Sequence, residues 1–170
     1  DTALLCSAMI SDPDGESLTA SYQWDINGVA AAAGTGLTLT NAISNPGDLI
    51  TCTVDLADNY GAAVTDSTFV VIDNTNPVVD SISFTPTDPT RTDTVTCEAT
   101  ASDIDADTPV LGFGFTNQTS GDTYTATSSD SSSATLDLTG TNVLPNDVIG
   151  CEVVATDSDG GTGSDTATLT

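Results

Sequence analysis

The chain has 170 residues, 25 acidic side chains, a single basic one (Arg91) and no histidine, for a formal charge of -24. A field of that sign makes nucleic acid and anionic membrane surfaces very poor partners and asks for counter-ions or bound cations. Without lysine or histidine the usual bases and activated nucleophiles are missing, while a hydrophobic content of 38% sets the chain apart from a disordered acidic tail.

In chain order, the first predicted strand leads to Cys6. Leu4, Cys6, Ala8 and Ile10 share one face at period two, and Asp1 already belongs to the strand. "SDPDGES", residues 11–17, is a turn that carries Asp12, Asp14 and Glu16. Tyr22, Trp24 and Ile26 alternate in the next strand, which Asn27–Gly28 ends with a hairpin signal. The turn "NPGD" (45–48) uses Asp48 as a turn residue. Ile50, Cys52, Val54 and Leu56 form another inward face, followed by "ADNYG" with Asp58 and Asn59. No stretch keeps a 3.6-residue period between caps. The expectation is an all-β chain of antiparallel sheets with one wet face and essentially no helix.

After "VIDNTNPVV" (71–79) the chain repeats itself. "CEATASDIDADTPVLGFGF" from Cys97 matches "CSAMISDPDGESLTASYQW" from Cys6, so Asp103 meets Asp12, Asp105 meets Asp14 and Phe115 meets Trp24. Further on, Pro145, Asp147, Ile149 and Cys151 meet Pro46, Asp48, Ile50 and Cys52. The two offsets, 91 and 99, leave eight extra residues in the second copy. Tandem domains follow, 1–74 and 75–170. Copy two opens with a strand, "PVVDSISF" (77–84), that copy one lacks. The edge near Thr2 to Ser7 is therefore expected to be completed by a neighbouring unit or by residues upstream, a strand complementation.

The order Cys6, Trp24, Cys52, repeated as Cys97, Phe115, Cys151, resembles the immunoglobulin-like sandwich, in which cysteines on strands B and F bridge the sheets over a strand-C aromatic. The resemblance implies two tandem immunoglobulin-like sandwiches with disulfides Cys6–Cys52 and Cys97–Cys151. One departure stands out: the tyrosine that antibody domains place two residues before the second cysteine is Ile50 or Ile149 here. Four cysteines without a CxxC, in a chain without histidine, fit an oxidising compartment better than zinc. More narrowly, "SDPDG", "SYQW" and "GDLITCTVDLADNYG" resemble the tandem repeats of bacterial surface proteins, and "VIDNTNPVV" resembles the joints between such repeats and those of cadherins.

That resemblance also places the acids. It implies that the B–C and F–G loops share one end of each domain, bringing Asp103, Asp105 and Asp107 towards Asp157 and Asp159. The joint residues Asp73, Asn74 and Asn76 enter at the same end. In copy one the same loops carry Asp12, Asp14 and Glu16, with Asp58. Calcium, which accepts six to eight oxygens in flexible geometry, is the expected ion, ahead of magnesium. The site would not be an EF-hand: counting from Asp103, the sixth residue is Thr108 and the twelfth Gly114, where glycine and glutamate are needed. The plainer reading is that these aspartates only build turns.

The function expected is a non-enzymatic, extracellular or cell-surface structural or adhesive module: a stiff, disulfide-stapled, calcium-tied rod, stalk or fibre, as in a pilus-like filament. Neighbouring repeats or copies of the same chain would be its partners, with no nucleic acid and no membrane insertion. The alternative is a carbohydrate- or receptor-binding module, for which Tyr60, Phe69 and Tyr124 are the candidate platform. Asn117 begins a glycosylation sequon, a motif common by chance.

Overall fold

The structure, a computed structural model, describes residues 2–128 and 131–170, with the side chain of Ser128 left aside. Asp1, expected in the first strand, lies outside the described residues. The chain divides into two compact units, Asp1–Asn74 and Thr75–Thr170. All sheets are antiparallel, and the one helical element among the described residues is a single 3₁₀ turn, Leu138–Gly140. Among the described residues no helix is long and apolar enough to cross a membrane.

The second unit shows the architecture in full. Its strands are β7 (Val78–Thr85), β8 (Thr94–Ser102), β9 (Val110–Asn117), β10 (Thr123–Tyr124), β11 (Thr127–Ser128), β12 (Ser133–Asp137), β13 (Ile149–Thr156) and β14 (Thr162–Leu169). One sheet runs β11-β12-β8-β7 and the other β10-β9-β13-β14. Those are the D-E-B-A and C′-C-F-G orders of an immunoglobulin-like sandwich. The period-two sequence explains the layers: Cys151 and Val153 of β13 are fully buried, whereas Glu152 between them is exposed. Cys97–Cys151 joins the sheets, and Phe115, opposite Cys151 on β9, is 1% exposed.

The first unit has β1 (Thr2–Leu5), β2 (Thr19–Ile26), β3 (Val29–Ala33), β4 (Gly36–Leu39), β5 (Leu49–Ala57) and β6 (Ala63–Val71). The sheets are β1-β4 and β3-β2-β5-β6. Cys6–Cys52 links them, Trp24 lies opposite Cys52, and the indole Nε1 donates to the Gly34 carbonyl at 3.1 Å. Asn27 and Gly28, both with positive φ, turn β2 into β3. Ile50 and Ile149 fill the place of the antibody tyrosine as buried side chains.

The expected strand through Ala8 and Ile10 does not form: β1 stops at Leu5. The second unit gives the reason. Beyond Cys97, β8 continues because β7 pairs with it, Ile82 opposite Ala99 and Val79 opposite Ala101. Residues after Cys6 have no such partner, and a lone extended segment gains no ladder hydrogen bonds. The eight extra residues of copy two fall in the stretch that holds β11, for which the first unit has no counterpart. Asn117 is no accessible sequon. Its side chain is fully buried, donates to Asp147 Oδ2 at 2.8 Å and accepts from the Thr119 and Ser120 amides.

Candidate metal centre

Each unit gathers its acidic loops at one end by the same local device. In the first unit Asp12 folds the turn onto itself: its Oδ1 accepts the Asp14 amide at 2.7 Å and its carbonyl accepts the Gly15 amide at 3.2 Å. Gly15 has φ +80°, a left-handed conformation that glycine adopts freely. Asp58 shapes the opposite loop by accepting the Tyr60 and Ala62 amides on Oδ1 at 2.7 and 2.9 Å. The two turns bring one carboxylate oxygen each of Asp12, Glu16 and Asp58 within 4.8 Å of one another. All three residues are partly buried. Partial burial, then the charges of Asp12 and Asp58, push the Glu16 carboxyl above its ordinary value. Asp14 is exposed and stands outside this group.

In the second unit Asp103 accepts the Asp105 amide at 2.7 Å, and Ala106 occupies the left-handed position of Gly15 with φ +70°. Asp157, 7% exposed, accepts the Asp159 and Gly161 amides at 3.0 and 2.7 Å. The loops are joined by the Ser158 hydroxyl, which donates to Asp107 Oδ2 at 2.9 Å. The entering chain is held by the Thr75 amide, which donates to Asp105 Oδ2 at 2.7 Å. Asp103 Oδ2 is buried and has no hydrogen-bond partner. Asp107 is one methylene shorter than its counterpart Glu16 and takes Ser158. Among the described residues the carboxylates of this unit form no three-membered group like that of the first. Asp73 and Asn74 close the first unit, and Asn76 lies in the entry segment of the second.

Among the described residues, Asp12, Glu16 and Asp58 are the group that could hold a hard cation, and the second unit offers the buried Asp103 Oδ2. Every side-chain donor is an oxygen, and a buried carboxylate oxygen without a partner carries a desolvation cost that a divalent ion would remove. Sequence reasoning placed the aspartates but missed Ser158 and Thr75. A serine between two loop aspartates was the signal for the first, and a backbone donor leaves none.

The aromatic residues do not make a platform. Tyr60 and Phe69 are exposed, but Tyr60 lies in the loop before β6 and Phe69 six residues along that strand from Ala63, roughly 20 Å at strand rise. The Tyr124 hydroxyl donates to Asn142 at 2.7 Å. The turns "NPGD" and "LPND" are built alike. Asp48 and Asp147 each accept the amide three residues back at 2.8 Å, and each binds an asparagine amide, Asn27 or Asn117.

No known family model and no curated protein matches this chain. Among solved structures it is similar to an amphioxus IgVJ-C2 molecule, with 12% identity over 99% of this chain and 95% of that one at a TM-score of 0.48. It is also similar to a bacterial ice-binding adhesin involved in host cell surface retention (16%, 94% and 54%, 0.40) and to the human Desmocollin-1 ectodomain (16%, 92% and 30%, 0.37). At such identities and scores these likenesses carry nothing about function.

Proposed function

We propose that this is a non-enzymatic extracellular structural or adhesive module whose acidic loop ends bind calcium. The carrying observation is the Asp12–Glu16–Asp58 group: three carboxylate oxygens within 4.8 Å, in a chain with one basic side chain. The charges of Asp12 and Asp58 add to partial burial in raising the Glu16 carboxyl, and a cation between the three would relieve that repulsion. In the second unit the proposed ligands are Asp103, Asp105 and Asp107 with Asp157, beside Asn76. The two inter-sheet disulfides support an oxidising, extracellular setting. The shaping of Asp12, Asp58, Asp103 and Asp157 by backbone amides supports a structural duty over general acid–base work. A rod, stalk or filament built from neighbouring repeats is the form this reading gives the whole protein.

The test is calcium titration at fixed ionic strength, by calorimetry and by thermal melting with and without chelator. Binding to the folded state alone should stabilise it by roughly 2.7 kcal/mol at a hundredfold excess over Kd. Glu16→Gln and Asp58→Asn should weaken the first unit's site. No heat of binding and no change in melting on chelation would reduce the acids to turn builders.

A further inference from the structure

Asn27 is the one asparagine of the chain that a glycine follows. Glycine has no Cβ to shield its amide nitrogen, so that nitrogen can attack the side-chain carbonyl carbon of the residue before it. Asn27 and Gly28 form the exposed turn between β2 and β3, with φ of +50° and +80°. Water reaches the pair freely, and only the fold restrains it.

The restraint is specific. Asn27 Nδ2 donates to Asp48 Oδ1 at 2.7 Å, and Asn27 Oδ1 accepts the Leu49 amide at 2.9 Å. Both ends of the carboxamide are thus tied to the entry of β5. Asp48 is itself fixed, because its Oδ2 accepts the Asn45 amide at 2.8 Å. The second unit supplies a contrast. Asn117 makes the same kind of bond to Asp147, but it is fully buried and a glutamine follows it.

We propose that Asn27 is a latched deamidation site, held unreacted by Asp48 and Leu49 and open to reaction when those bonds break. The Gly28 nitrogen then bonds to Asn27 Cγ, the Cγ–Nδ2 bond breaks, and ammonia leaves with the proton that the Gly28 nitrogen sheds. Water opens the resulting cyclic imide at either carbonyl and leaves aspartate or isoaspartate. Water is the only co-reactant, and nothing is oxidised or reduced. The product does not close the latch again. A carboxylate has no proton to donate to Asp48, and two negative groups now face each other where a hydrogen bond stood. The reaction therefore runs one way and separates the β2–β3 turn from the turn at 45–48. It does not depend on calcium binding.

The experiment incubates the intact chain at mildly alkaline pH and follows Asn27 by peptide mass spectrometry that separates aspartate from isoaspartate. The denatured chain, its disulfides intact, sets the unlatched rate. The folded chain should react at least about tenfold more slowly, and Asp48→Ala should recover most of that difference while Trp24 fluorescence shows the unit still folded. Asn117 should stay unmodified in the folded chain over the same period. Asn27→Asp, which stands for the product, should lower the melting temperature of the first unit by roughly 4 °C or more. The proposal is overturned if folded and denatured chains react alike, if folded Asp48→Ala reacts no faster than the parent, or if Asn27→Asp melts like the parent.

Discussion

Among the described residues, thirteen buried side chains, from Phe84 on β7 to Leu169 on β14, form the core of the second unit, whereas seven form that of the first. The turns of the two units are nevertheless nearly interchangeable. Asp12 and Asp103 cap the same turn, Asp58 and Asp157 another, and Asp48 and Asp147 a third. The comparison separates two layers of information. Local turn chemistry survives in a unit whose interior is half covered, because it needs only a carboxylate and nearby amides. Burial is smaller in the first unit, because no described strand pairs with residues 7–11 as β7 pairs with β8.

The largest expected difference concerns the disulfides. Each closes a long loop, with sequence separations of 46 and 54, worth about 4 kcal/mol on a chain-entropy model. Cys6→Ala with Cys52→Ala should unfold the first unit, whose core is small. Cys97→Ala with Cys151→Ala should leave the second unit folded at a lower melting temperature. The sole tryptophan, Trp24, makes fluorescence a report on the first unit, and amide exchange in β13 reports on the second. Equal losses in both units would remove the contrast.

Next is the β7 entry. Gly163→Ala puts a methyl group against the Pro77 backbone, which has no flexible end to swing away. It should destabilise the second unit by about 1–3 kcal/mol and disturb the Thr75–Asp105 bond. The counterpart Val64→Ala should change stability by no more than about 0.5 kcal/mol, since that side chain is largely in water. Chemical denaturation of the two variants decides it.

A smaller contrast lies in the third turn. Asp147→Ala strands the amide of a fully buried asparagine, Asn117, and should cost about 1–3 kcal/mol. Asp48→Ala releases Asn27, which is exposed, and should cost about 1 kcal/mol or less. Equal losses would show that burial of the partner does not matter.

The smallest effect is a pH dependence of opposite sign within the first unit, read without metal. Glu16 has a folded pKa above its ordinary 4.5, so the native state binds the extra proton. Its contribution is therefore present at low pH and lost as pH rises from 4.5 through the raised value. Asp48 is lowered below 3.8 by the Asn45 amide and then Asn27, so its contribution is present above 3.8 and lost as pH falls through the lower value. Glu16→Gln should flatten the first slope and leave the second. Calcium affinity should rise with pH over the Glu16 window, as metal and proton compete.

Much of this was legible from the residues. Period-two alternation around Trp24, Cys52 and Cys151 gave the inner faces, because strand side chains must alternate. The repeat gave the register between the units. Ala8 and Ile10 misled, since alternation records what a segment can do once paired and not whether a partner strand is there. The aspartates at 103, 105 and 107 were placed on the right loops. Their division between a hydroxyl, an amide and an unpartnered oxygen depends on ångström-scale reach, such as the one methylene between Asp107 and Glu16.

The way the carboxylates are held has a consequence for ionic strength. Asp12, Asp58, Asp103, Asp147 and Asp157 accept hydrogen bonds from amides, and the whole chain offers one basic side chain to its 25 acids. Added electrolyte therefore has almost no attraction between charges to weaken, only repulsion. The screening length shrinks from about 10 Å at 0.1 M to about 3 Å at 1 M, below the spacing of most of these groups. Where a protein laced with ion pairs loses some stability in brine, this one should gain it steadily, and dilution into pure water should be the harshest solvent it meets.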